Sequence, residues 1–191
     1  MKHKILLRLG LIVLSMFALT AAVLGGSRQP ASGNNLVEAV RQATADFKDV
    51  EAAKSAGYGL FHGCVSGPEV GAMGIHFVKG DLVGDGEIDA SHPEALIYEL
   101  TKKGLQLVGV EYVVLAEAWD ANHETPPTLM GQVFHYVSAP NRYKIPAFYE
   151  LHVWAWKQNP NGMFTDWNPK VSCEQYATDA AEDTAVHGSG H

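Results

Sequence analysis

A chain of 191 residues, 47% of them hydrophobic, has the length and composition of one globular domain with a targeting segment. Its formal net charge is -7, and no basic cluster follows the N-terminus. That balance argues against a phosphate-binding surface, and no nucleic acid is expected as a partner.

Residues 1–26 read as a secretory signal peptide. Lys2, Lys4 and Arg8 form a basic start, an uncharged apolar run follows from Leu9 to Gly26, and small residues suited to cleavage lie near its end. The alternative is an uncleaved anchor, since the run is about long enough to span a bilayer. Membrane association is expected only in that case. No Cys follows the run, which excludes a lipid-modified N-terminal cysteine. Residues 27–34, SRQPASGN, read as a flexible leader, 35–173 as a single domain, and 174–191 as a disordered tail. His187 and His191 fall in that tail and read as solvated residues.

Leu36, Val40, Ala43, Phe47 and Val50 recur at helical spacing, which predicts a helix over 35–56. Asn35 with Glu38 offers a capping box and Gly57 a stop, while Asp49 offers a second start with a break near Lys48. From Tyr58 the pattern becomes strand-like. Strands are expected at 71–78, 94–100, 105–114, 131–137 and 148–156. Lys102-Lys103-Gly104 supplies a hairpin turn, and Asn159 to Gly162 a tight turn with a short return arm. The fold class is α+β, an N-terminal helix packed on an antiparallel sheet, with closure into a barrel left open.

Two cysteines in an exported chain point to a disulfide between Cys64 and Cys173, worth about 4 kcal/mol by chain entropy. The stretch 80–92, GDLVGDGEIDASH, fails as a calcium loop. Counted from Asp81, Val83 and His92 occupy positions where an EF-hand needs oxygen ligands, so a Gly- and Asp-rich turn is expected.

His76, His135 and His152 each sit inside a predicted strand among apolar neighbours, and Glu111 does the same on a fourth strand. Strand side chains alternate faces, so His152 shares one with Glu150, Trp154 and Trp156. These residues read as a pocket wall holding a single transition metal (Zn, Cu, Fe, Mn or Ni). His76, His135, His152 and Glu111 would be the ligands, and Glu150 would orient a histidine. The competing reading of each histidine is a hydrogen-bonded core residue. No H-E-x-x-H, C-x-x-C or phosphate-loop motif is present. A second functional reading is a non-catalytic module that stacks a carbohydrate or other small ligand on a Trp-lined face. Whether the protein is an enzyme is not legible in the sequence.

The stretches ATADFKDVEAAKSAGY, CVSGPEVGAMGIHFV, LVGVEYVV and FYELHVWAWKQNPNGMFTDWNPKVSC together resemble an uncharacterised family of exported bacterial proteins, from about Ala43 to Cys173. The resemblance implies a single domain in a periplasmic or secreted protein, and carries no activity.

Overall fold

The computed structural model describes residues 32–177, so the signal segment and most of the acidic tail lie outside the described residues. Helix α1 spans Ser32–Ala43, a single 3-10 turn spans Asp46–Lys48, and α2 spans Val50–Ser55. The expected long helix is therefore broken, for two local reasons. The Thr44 hydroxyl donates back to the Val40 carbonyl at 2.7 Å. Asp49 then leaves helical geometry, and its carboxylate accepts the Glu51 N–H at 3.0 Å as an N-cap. Because α1 begins at Ser32, Asn35 lies inside the helix and does not cap it. Glu38 accepts from Gln42 one turn on. Gly57 ends α2 at φ 96°, a left-handed conformation that glycine adopts without penalty.

The strands are β1 (Gly59–Gly67), β2 (Gly71–Val78), β3 (Ala95–Thr101), β4 (Gly104–Leu115), β5 (Thr128–Leu129), β6 (Gln132–Val133), β7 (His135–Val137) and β8 (Phe148–Val153). Short helices α3 (Gly80–Val83) and α4 (Ala116–Asp120) follow β2 and β4. Six strands form one antiparallel sheet in the order β1-β2-β3-β4-β8-β7, and β5 pairs with β6 apart from it. The order is linear, so the ladder does not close into a barrel. Gly104 opens β4 at φ 92°, as the hairpin turn requires.

Three expected strands are shorter or more divided than their sequence suggests. Residues 131–137 split at Phe134, which is buried, and the two pieces join different sheets. The strand expected to reach 156 stops at Val153, because the Trp154 N–H turns to the Met163 carbonyl at 2.9 Å. The turn at 159–162 forms, with Gly162 at φ 125°, but its return arm makes no ladder; Ala72 and Asn168 form an isolated bridge instead. Of the tail, residues 174–177 are helical, and the Ala177 N–H donates to Cys173.

One face of the sheet is apolar. Ile75, Leu96, Tyr98, Val110, Tyr112, Leu151 and Val153 share a buried cluster with Leu36, Val37 and Val40 of α1. Burying each such side chain contributes about 1.5–3 kcal/mol. Trp156 reaches the same side, where its indole donates to Thr44 Oγ1 at 3.0 Å. Cys64 and Cys173 are joined by a disulfide that ties edge strand β1 to the C-terminal end of the domain. Among the described residues, no helix is long and apolar enough to cross a membrane.

Candidate metal centre

The second face of the sheet carries the polar residues. Residues directly opposite in an antiparallel ladder point the same way, as do residues two apart on one strand. Glu111 on β4 stands opposite His152 on β8, and Val113 opposite Glu150, which in turn stands opposite His135 on β7. His76 on β2 stands opposite Ile97 on β3, two residues from Ala95, the partner of Glu111. His76, Glu111, His152, Glu150 and His135 therefore share a face, turned away from the α1 cluster.

Three of the four residues expected to ligate a metal converge. One donor atom from each of His76, Glu111 and His152 lies within 4.8 Å of the others, and all three residues are buried. His76 Nε2 lies 3.5 Å from Glu111 Oε2. Two ligands about 2.1 Å from a tetrahedral ion stand about 3.4 Å apart, so this pair already has that spacing. The His76 and His152 rings are perpendicular, with centroids 6.4 Å apart.

His135 is the exception. Its side chain is 56% exposed and its Nδ1 lies 3.2 Å from Asp166 Oδ1, outside the cluster. β7 is an edge strand only three residues long, so it brings His135 to the rim. Asp166 was not anticipated. It lies 3.7 Å from His152 Nδ1 and forms a second three-residue group with Glu150 and His152. Glu150, expected only to orient a histidine, thus joins a donor set of its own. Asp166 stands in the unpaired return arm, where no periodicity announces which way a side chain points.

Electrostatics at the centre follow from burial. His76 is pushed down to about 4, first by burial and then by His62; the Gly74 backbone opposes this without forming a complete hydrogen bond. His152 falls to about 3, by burial and then by His76 and His135. Both rings are neutral near pH 7, the form that ligates metals. Glu111 is raised well above the carboxylate range by burial and by Glu150, with which it is in hydrogen-bonding contact. Glu150 is raised by burial, while that bond from Glu111 opposes the rise. Burial and mutual repulsion both favour a protonated carboxyl in this pair.

Both ring nitrogens of His76, both of His152, and Glu150 Oε2 are buried without a hydrogen-bond partner. Buried polar groups are rarely left so.

The two tryptophans expected to line the pocket are separated. Trp154 is 3% exposed, lies nearly parallel to His152 at 6.2 Å, and donates to the Thr165 carbonyl at 2.6 Å. Trp156 is on the opposite side of the sheet, with Lys48 Nζ 3.8 Å above its ring. Past Val153 the chain no longer alternates, so the two indoles cannot share a face. An open aromatic platform for a sugar is therefore absent from this segment. Elsewhere, Trp119 stacks on His123 at 3.7 Å, and Arg142 lies over Trp167. In the 80–92 stretch, Asp85 and Asp89 accept the backbone N–H groups of Glu87 and Ser91, as in Asx turns.

The chain matches no family model, no curated protein and no solved structure.

Proposed function

We propose that the protein binds a single transition-metal ion through His76, Glu111 and His152, as an exported protein working in an oxidising compartment. The observation that carries this reading is the convergence of those three side chains with four unpartnered imidazole nitrogens in a buried place. Two neutral imidazoles and Glu111, whose proton a bound cation would displace, form a mixed nitrogen and oxygen set that suits Zn or Fe(II) best among first-row ions, with Mn, Ni and Cu as competitors. Thiolate ligation plays no part, because both cysteines are consumed in the disulfide. That disulfide supports export. Three protein ligands leave coordination positions free, as a reactive centre requires.

The test is elemental analysis of untagged protein purified without chelators, followed by titration of the stripped form. About one equivalent of metal is expected, lost in His76→Ala and His152→Ala and retained in His135→Ala. Protein that arrives metal-free and binds no transition metal at micromolar concentration overturns the reading.

A further inference from the structure

Directly above the candidate centre lies a cavity of about 290 Å³, and its construction points to what the centre acts on or carries. Its walls are Phe61, Val78, Val113, Leu115, Ile145 and Phe148, while His76 and Glu111 also line it. The depth ordering is plain from exposure. Phe61 is 49% exposed and Pro146 is exposed, which marks the mouth. His76 is 3% and Glu111 6% exposed, which marks the floor. The loop between β7 and β8 supplies Tyr143, Ile145 and Pro146 as one side of the opening.

We propose that this cavity takes a small amphiphile, a medium-length apolar body ending in one carboxylate head that meets the ion held by His76 and Glu111. The inference deepens the metal-binding reading and rests on it for the partner of the head group. Apart from the Tyr143 hydroxyl, which already donates to Met73 Sδ, the wall side chains give a polyhydroxylated ligand nothing to hydrogen-bond, so most of its hydroxyls would be stripped of water without replacement. A pure hydrocarbon would do the same to the imidazole and carboxyl on the floor. One polar end and an apolar remainder satisfy both, the usual pattern of small-molecule pockets. Size sets the length. At about 30 Å³ per water-sized group, the cavity accommodates about ten non-hydrogen atoms, the number in octanoate.

The experiment is a calorimetric titration of straight-chain carboxylates from butanoate to dodecanoate, with 1-octanol as a head-group control. It uses zinc-loaded and chelator-stripped full-length protein. In the zinc-loaded form, affinity should rise about fourfold per methylene and stop rising near eight carbons, where the cavity is full. Octanoate should bind at least tenfold more weakly to stripped protein, while octanol should change little. Ile145→Trp, on the loop outside the sheet, should abolish the ladder and keep one equivalent of zinc; Val113→Phe repeats the test from the sheet side. Equal affinity for butanoate and octanoate, or a ladder unchanged in both variants, overturns the cavity proposal and leaves the metal reading standing. A ladder identical in both forms, with no zinc bound, overturns the metal reading and the head-group assignment, while the apolar body remains supported.

Discussion

Glu111 and Glu150 meet diagonally across the β4–β8 ladder, one register step apart, with their carboxyls in hydrogen-bonding contact inside the protein. Two carboxylates cannot both stay charged there, so the pair keeps a proton. An amide can replace the protonated member as donor. Glu111→Gln is therefore expected to hold metal-free stability within about 1 kcal/mol. Glu111→Ala leaves Glu150 buried without that donor and should cost about 3 kcal/mol or more. Denaturant unfolding at pH 7 with chelator measures both. Equal destabilisation by the two variants would mean that no proton is shared. Both should lose metal affinity, since a neutral amide is a poor substitute for a carboxylate ligand.

Stability of the metal-free protein should fall on both sides of a mildly acidic optimum. Glu94 is 2% exposed and raised from 4.5 to about 8, first by burial, with the Val113 N–H opposing and Asp85 and Asp89 adding to the rise. Between those pH values the folded form binds a proton that the unfolded form releases. Its contribution is full below about 4.5 and is lost as pH rises through about 8. His76 and His152 act in the opposite sense. Their folded values are depressed from 6.5 to about 4 and about 3, so their contribution is full above 6.5 and lost as pH falls through those values. Each group changes stability by up to about 1.4 kcal/mol per pH unit inside its window. Thermal melts from pH 3 to 9 in chelator should show both limbs, and Glu94→Gln should make the alkaline one shallower without abolishing it, because Glu111 and Glu150, also raised by burial, add to it. An alkaline limb of unchanged slope in that variant would remove Glu94 from the explanation.

The strands that were legible are those whose patterning is regular and local. β2, β3 and β4 announce themselves as apolar runs, and Gly104 marks their turn because only its backbone conformation fits there. β1 was not marked out as a strand of its own, and its register against β2 shifts three times, which destroys the two-residue period. The end of β8 is not legible because alternation in ELHVWAW continues in sequence after the ladder has stopped at Val153. The same mechanism divides the candidate site. His76, Glu111 and His152 lie on strands with at least one intact neighbour ladder, so their shared face follows from alternation once the strand order is known. Asp166 arrives from a loop, and its direction is set by tertiary bonds, such as the Trp154 indole to Thr165, that have no sequence period.

Reducing the disulfide should weaken the domain substantially. Cys64 and Cys173 are 109 residues apart, and closing a loop of that size restricts the unfolded chain by about 4.7 kcal/mol at most, with 2–4 kcal/mol typical. A Cys64→Ser, Cys173→Ser double variant should therefore show a lower denaturant midpoint with the slope little changed, and denatured wild-type protein should titrate no thiol. An unshifted midpoint would mean that other contacts already hold β1 to the C-terminal segment.

Trp154 and Trp156, two residues apart in sequence, should respond oppositely to the same substitution. Trp156→Phe keeps an aromatic ring against the apolar cluster and loses the bond to Thr44 Oγ1. That hydroxyl still donates to the Val40 carbonyl, so the loss is one acceptor's partner, a cost of about 1 kcal/mol. Metal affinity should not move, because the indole is on the far side of the sheet from His152. Trp154→Phe removes the bond to the Thr165 carbonyl, which anchors the arm just before Asp166, and disturbs the ring stacked on His152. Supports of this kind typically change metal affinity by about 10–100-fold when removed. Zinc titration of the two variants beside wild type reads the difference directly. Equal affinities in all three proteins would show that the Trp154 anchor does not orient His152, and a loss confined to Trp156→Phe would place the metal on the other face of the sheet.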